Sequence, residues 1–445
     1  MEEVYRIMGY KEKIDKIFVK EKSFSKEEIN KIIDRLESRA GNRPDRELNR
    51  MRAALGLLDL QPIKVVNIVG TNGKGTVSKA IFDCLNDFDM RVGLYSSPHL
   101  VSYNERIITS DGEIPDNIFY ALIDLVSDLE AEIKNEYGDF TYFEVLTLVA
   151  NIYFANQNLD IVILEAGVGG RCDATKALGQ SILSVITSLS IDHISALGNT
   201  IESIAWHKAG IMKDNTSSIT LNKGLAHDVI NEESSKLKNF KLYDYKDFIL
   251  PDITPVKGEF EVTFENKNVK INPKQFGIIR GENFPLAYAA IIKILEYFNI
   301  DVDKNLEKIA NSLSNSQWKG RMQVIGTDPL IILDGAHNVD AIEKLFKSIE
   351  DVDHKRLITI IAIMDRKNHE DMTKFMRSKS DLLIVTSNGD SNSTSIDILS
   401  KEANADQAFE DIDHALSYAK KIANPDDLIL IAGSLYLVGE VLKLI

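Results

Sequence analysis

"VGTNGKGTVSKA", residues 69–80, follows directly on the apolar run "IKVVNI" and decides how the rest of the chain is read. An apolar strand, a glycine-rich turn and a helix-forming segment aim backbone N–H groups and a positive helix end at one point, an arrangement that holds phosphate. Gly70, Gly73 and Gly75 place three glycines within six residues around Lys74, more than a tight connection alone needs. The spacing departs from the usual G-x-x-x-x-G-K-[ST] pattern. Ile68 stands where the first glycine belongs, and Gly75 sets the hydroxyl of Thr76 one place late. The stretch implies nucleotide binding by Gly70, Thr71, Asn72, Gly73, Lys74, Gly75 and Thr76, with Lys74 a point charge on the outer phosphates. It does not say what reaction follows.

Around this turn, short apolar runs alternate with helical segments. "KVVNIV" precedes "KGTVSKAIFDCLNDF" and "RVGLYS"; "FEVLTLVANIYFANQ" precedes "LDIVILEAG"; "SILSVITSL" leads to "TIESIAWHKAGIM". Apolar runs without alternation, separated by helices, predict a mainly parallel sheet covered on both faces. Upstream, the first 60 residues read as amphipathic helix, with "SFSKEEINKIIDRLESR" carrying a capping-box start at Ser25 or nearby. Residues 215–280, including "SSITL" and "FEVTFENKNVKIN", read as shorter, partly alternating strands before the helix "GENFPLAYAAIIKILEYF". The polar stretch "NSLSNSQWKGR" (311–321) marks a boundary. Beyond it "RMQVIG", "LIILDGA", "RLITIIAIM", "DLLIVTSNG" and "DLILIAGS" restart the alternation, each expected to lead into a helix. The expected architecture is α/β: a P-loop-containing, mainly parallel sheet domain over 1–312, a linker over 313–320, and a smaller Rossmann-like α/β domain over 321–445.

The bulk numbers narrow the function classes. A chain of 445 residues exceeds one ordinary domain. Its 52 basic and 67 acidic residues leave a net charge of −15, which argues against a nucleic-acid surface and requires local cations, backbone amides or metal ions for any anionic ligand. Two cysteines, Cys84 and Cys172, build no disulfide framework. The charged start "MEEVYRIMGYKEKIDK" has no apolar core for a signal peptide, and no apolar run approaches the roughly 20 residues that span a bilayer. A soluble, cytoplasmic protein is expected.

Ligands of open α/β sheets gather at the carboxyl ends of the strands, and several chemistry-bearing residues fall there. "SSPHLVSYNERI" (96–107) places Ser97 and His99 in a loop shaped by Pro98, with Arg106 a clamp for carboxylate or phosphate. "DIVILEAGVGGRCDATK" ends a buried run in Glu165, a carboxylate that needs a metal or basic partner. "SIDHISALGNTIESIAWHKAGIMK" supplies Asp192, His193 and, on the following helix, Lys208. In the second domain "IILDGAHN" (331–338) presents Asp334, His337 and Asn338. "WKGRMQ" sets Arg321 just past the linker, placed to reach across the cleft between domains, and "AGSLYLVGEV" offers Gly433 and Ser434. The 96–107 loop alone reads equally as a polar surface loop, the Glu165 stretch is the stronger signal, and none of the second-domain stretches persuades alone.

In order along the chain, "GTNGKGT", "SSPHL" with "NERI", "FE", "LEAGVGGRCDAT", "IDH" with "LGNT", "KAGI", "GRM", "DGAHN" and "GSLYLVGEV" resemble the folylpolyglutamate synthase/dihydrofolate synthase family, bifunctional bacterial type, of the Mur ligase superfamily. The resemblance explains the irregular P-loop, because this branch uses G-T-N-G-K-G-[ST] where cell-wall Mur ligases set a hydroxyl residue directly after the Lys. It implies ATP-dependent addition of L-glutamate to a folate, and to dihydropteroate, through an acyl phosphate. It implies ATP and two Mg²⁺ ions, with K⁺ as a further ion. Lys74 and Thr76 would hold phosphates, and Ser97, Glu165 and His193 the metals. Lys208 matches a lysine carbamylated in the family. Arg321 would reach ATP phosphate, Asn283 matches a nucleotide-side asparagine, and Asp334 and His337 would serve the nucleotide and glutamate side. Lys74, Lys208, His337 and Arg106 form the implied reacting-centre set. The partners are small molecules, with no nucleic acid or membrane, and the chain is expected to be a monomer. Departures stand at His207 (usually Glu), at Cys172 and Lys176 within "GGRLDATN", at Ile279 and Arg280 within "HQ..NA", and at Gln323. A Mur-type ligase on another carboxylate acceptor and a noncatalytic nucleotide-binding protein are the competing readings.

Overall fold

A computed structural model describes the chain except residues 1–8, 20–21, 42–44, 253–255 and 366, and leaves the side chains of 40 and 41 undescribed. Packing divides it into two compact units. The first comprises Met1–Ser97, Tyr103–Lys246 and Ala289–Phe298; the second comprises Pro98–Ser102, Asp247–Tyr288 and Asn299–Ile445.

The first unit is built on eight strands: β1 (Lys64–Val69), β2 (Val92–Tyr95), β3 (Ile107–Thr109), β4 (Gly112–Glu113), β5 (Ile161–Glu165), β6 (Gln180–Ile186), β7 (Ser217–Thr220) and β8 (Lys241–Tyr243). Their order is β4-β3-β2-β5-β1-β6-β7-β8. From β2 to β8 every neighbouring pair is parallel, and at the other edge β3 pairs antiparallel with both β2 and β4. All five residues of β5 are buried, as a parallel strand covered on both faces requires. "SSITL", grouped above with the shorter strands, is β7 and joins this parallel sheet; its Ser218, Ile219 and Thr220 are fully buried. In place of one N-terminal amphipathic stretch the described residues form three α-helices, Tyr10–Val19, Lys26–Glu37 and Asn49–Leu58. The capping box at Ser25 is present, with Glu28 Oε2 accepting the Ser25 N–H at 2.8 Å. The helix Asp116–Tyr137, which the sequence reading passed over, buries Phe119, Leu122, Val126 and Leu129 in the same apolar cluster as the N-terminal helices.

The second unit holds two sheets. β9 (Phe248–Ile249), β10 (Phe260–Phe264) and β11 (Lys267–Ile271) form a small antiparallel sheet. β12 (Gln323–Thr327), β13 (Leu330–Leu333), β14 (Leu357–Ile361), β15 (Leu382–Thr386), β16 (Gln407–Phe409) and β17 (Leu428–Ala432) form the other, ordered β12-β13-β17-β14-β15-β16. The expectation that each C-terminal strand leads into a helix fails at "RMQVIG". β12 turns back through Asp328 and Pro329 and pairs antiparallel with β13, because a two-residue turn leaves no room for a crossover. The remaining pairs are parallel. Residues 311–315, inside the polar boundary stretch, close the helix Leu306–Asn315. Among the described residues no helix is long and apolar enough to cross a membrane.

Candidate functional site

The glycine-rich turn leaves the carboxyl end of β1 and enters the helix Lys74–Asp87. It is fastened to the segment that follows β6. Thr71 N–H donates to Ser188 O at 2.9 Å, Thr71 Oγ1 donates to Ser190 O at 3.0 Å, and Thr187 Oγ1 donates to Asn72 O at 2.7 Å. The approach is so close that a Cβ on Gly70 would lie 1.7 Å from Thr187 Oγ1, so only glycine fits there. The Thr187 hydroxyl and the Ser188 and Ser190 carbonyls escaped the sequence reading, although the run "ITSLS" carried them in plain view.

Two lysines converge on one oxygen of this turn. Lys74 Nζ donates to Gly70 O at 3.1 Å and Thr71 O at 3.2 Å, and Lys208 Nζ donates to the same Gly70 O at 2.7 Å. Lys208 is 3% exposed, on the helix Ile201–Ala209. Burial first, then the Lys74 ammonium, push its pKa down to about 7, against the pull of Asp192 and Asp173. The helix is held by the glycine loop after β5. Arg171 N–H donates to His207 O at 2.8 Å, and a Cβ on Gly170 would lie 2.7 Å from Lys208 O. Burial, then Arg171, lower the pKa of His207, so a neutral imidazole takes the place of the Glu of the resembled motif. Asp173, which the sequence reading did not single out, organises the loop from inside: its carboxylate accepts from Val168 N–H, Thr175 N–H and Thr175 Oγ1. Burial raises its pKa, opposed by those bonds.

Glu165 ends β5 beside β1, in register with Ile68, and is buried; its Oε2 accepts the Ser97 N–H at 3.5 Å. His193 caps the short helix Ile194–Leu197 at φ +50°, next to the buried Asp192. Arg106 is buried, its Nη2 3.3 Å from Tyr142 Oη and its guanidinium 5.6 Å from the Tyr142 ring centre. Among the described residues no three His, Cys, Asp or Glu side chains gather to cage a metal. One hard carboxylate at a strand tip beside a phosphate-type turn suits Mg²⁺, which keeps waters and takes part of its shell from substrate phosphates. The "FE" pair is structural: Phe143 lies against Gly167, and Glu144 caps its own helix while pairing with Arg50 at 2.7 Å.

In the second unit, Asp334 closes the turn after β13, accepting Met322 N–H and Ala336 N–H, each at 2.8 Å. Burial raises its pKa, and the neighbouring Arg321 opposes that. A Cβ on Gly335 would meet Arg321 Nη1 at 2.6 Å, so Arg321, Asp334 and the "DGAHN" turn form one cluster. His337 Nδ1 lies 2.7 Å from Gly335 O, and Asn338 caps the helix Val339–Glu350. Ser434 likewise caps the helix Leu435–Leu442. Asn283 is buried in the first turn of the helix Arg280–Tyr297. The structure brings Lys74, Lys208 and the turn Gly70–Thr76 together, sets Ser97 beside Glu165, and joins Arg321 to Asp334.

Residues 68–291 match the Mur ligase middle domain, and residues 320–435 match the Mur ligase glutamate ligase domain. A dihydrofolate synthase/folylpolyglutamate synthase of Buchnera aphidicola subsp. Schizaphis graminum is 33% identical over 403 residues, covering 89% of this chain and 92% of that protein. The Mycobacterium tuberculosis folylpolyglutamate synthase complexed with ADP superposes with a TM-score of 0.84 at 25% identity, covering 94% of this chain and 98% of that one. Escherichia coli FolC in complex with DHPP and ADP gives 0.82 at 25% identity, with 94% and 97% covered.

Proposed function

The chain belongs to the dihydrofolate synthase/folylpolyglutamate synthase family of the Mur ligases, and on that premise we propose how its residues divide the work. It is an ATP-dependent ligase that adds L-glutamate to a folate; dihydropteroate is proposed as a second acceptor. A carboxylate oxygen of the acceptor attacks the γ-phosphorus of ATP and ADP leaves. The amine of glutamate then adds to the acyl carbon, phosphate departs with the C–O electron pair, and the nitrogen gives up its proton.

The first step presses one anion against another, so its barrier is electrostatic. The observation that carries the assignment is the Lys74 ammonium held on Gly70 O and Thr71 O of the glycine-rich turn, which sets a positive charge at the head of the helix Lys74–Asp87. Lys74 is assigned to the outer phosphates, with Gly70, Thr71, Asn72, Gly73, Gly75 and Thr76 forming the cradle. Ser97, Glu165 and His193 would hold Mg²⁺, which supplies charge neutralisation at the transferring phosphate; K⁺ is proposed on the resemblance alone. Arg106 is assigned to an acceptor carboxylate. Asn283, Arg321 and Asp334 are assigned to the nucleotide and His337 to the glutamate side. The linker is proposed at 313–320, with one matched domain ending at 291 and the other beginning at 320. The chain is proposed to act as a cytoplasmic monomer.

Lys208 is proposed to be carbamylated. With a pKa of about 7 much of it is a free amine, whose lone pair can add to the carbon of CO₂ while a proton passes to solvent. The resulting carboxylate would turn a group that repels a cation into one that attracts it. The test of the ligase reading is ADP release by the purified full chain. Release should require both a reduced folate and L-glutamate, with one glutamate joined per ADP; release without either substrate would sink it.

A further inference from the structure

A second concave site lies within the first unit, about 390 Å³ in volume, within the range that takes a small organic ligand. Arg52, Lys176 and Lys213 line it, with Asp214 the one acidic wall; Met212 and Leu237 supply apolar surface. None of these residues is assigned to ATP, glutamate or the reacting carboxylate. Lys176 stands where the resembled motif carries Asn.

The cations are not neutralised. Among the described residues, the ammonium groups of Lys176 and Lys213 make no hydrogen bond or ion pair. Arg52 donates to uncharged oxygens, Glu47 O at 2.7 Å and Asn49 Oδ1 at 3.4 Å. Asp214 accepts the Lys238 N–H at 2.9 Å. Burial, with Lys176 close by, pushes the pKa of Lys213 down to about 8, and burial followed by Arg171 lowers that of Lys176. In a chain with 67 acidic residues against 52 basic ones, a carboxylate partner would have been easy to supply. Lys176 and Lys213, part-buried and close to one another with Arg52 exposed at the rim, are instead stabilised by an anion from outside.

We propose that this pocket binds a small polyanion with an apolar portion, seated by Arg52, Lys176 and Lys213 and separate from the reacting phosphate. Two sources share that chemistry: the carboxylates of a γ-linked oligoglutamate, a choice that rests on the ligase reading, and an inorganic polyphosphate. The full-length protein, with AMPPNP and Mg²⁺ filling the nucleotide site, is titrated in separate arms with tri-γ-glutamate and with tripolyphosphate. Reductive methylation of Lys176 and Lys213, read by peptide mass spectrometry, reports occupancy alongside calorimetry. One-to-one binding with about tenfold protection of both lysines is expected in at least one arm. Protection by triglutamate alone assigns carboxylates, by tripolyphosphate alone phosphates, and by both a general polyanion site. Lys176→Asn/Lys213→Gln should weaken that binding by about tenfold or more while AMPPNP binding holds. Absence of saturable binding in both arms, or unaltered affinity in the double variant, overturns the site. Failure of folate-dependent ADP release would overturn the ligase reading and leave the tripolyphosphate arm standing.

Discussion

Lys74 and Lys208 donate to one carbonyl oxygen and are assigned unlike roles. Lys74→Ala should lower the ligation rate by about a hundredfold or more, the scale on which a charge aimed at a transition state acts. Stability should stay within about 1 kcal/mol, since the variant also relieves the repulsion on Lys208. Near-normal turnover would remove Lys74 from the phosphates. Lys208 makes a thermodynamic prediction as well. Its pKa falls from 10.5 to about 7 on folding, so between those values the unfolded chain binds a proton that the native chain does not. Stability must therefore rise with pH across that window. Below about pH 7 both states are protonated and the full cost of the buried charge is present. In CO₂-free buffer the wild type should gain denaturant resistance over Lys208→Met between pH 7 and pH 9; parallel behaviour of the two would refute the buried, unmodified amine. In bicarbonate, Lys208→Ala should lose most activity and recover part of it with a short added carboxylic acid.

At the scale of elements, what the sequence made legible were features that local chemistry decides. The runs at β1, β5 and β6 are apolar on both faces because helices cover both faces, and Ser25 with Glu28 caps a helix through neighbours three residues apart. β3 and β4 were missed because they are short, and "RMQVIG" misled because nothing in its own residues distinguishes an edge hairpin from a crossover strand. The same division holds at the site. Gly70–Thr76 and Glu165 announce themselves by residue type and strand-end position and Lys208 only by the motif it resembles, whereas Thr187, Asp173 and the Arg50–Glu144 pair act across 94 residues or more, or from inside a loop, and show only in the folded chain. That pair is a test of element packing. Arg50 and Glu144 are both buried, with a 2.7 Å contact between the helices Asn49–Leu58 and Tyr142–Ala155. Arg50→Met strands a buried carboxylate and should cost about 3 kcal/mol. Adding Glu144→Gln should recover part of it, because an amide can still accept the Thr141 N–H. Equal stability of the single variant and wild type would mean the carboxylate finds solvent.

For the whole molecule, charge sets the terms of substrate capture. ATP, folate and glutamate are all anions at neutral pH, and the chain carries −15. Long-range steering therefore opposes encounter, and affinity must come from a few cations held at short range, as proposed for Lys74, Arg106 and Arg321. Part-buried contacts of that kind are weakly screened, while repulsion beyond the roughly 8–10 Å Debye length fades as salt is added. The specificity constant kcat/KM for the folate acceptor should thus hold steady or rise as NaCl goes from about 50 to about 200 mM. A nucleic-acid binder would instead lose about a thousandfold or more in affinity over the same interval through counterion release. Steady-state rates at fixed Mg²⁺ across that series decide the matter. A steep fall would show that an exposed positive surface recruits the substrate, and the assignment of capture to enclosed local cations would have to be given up.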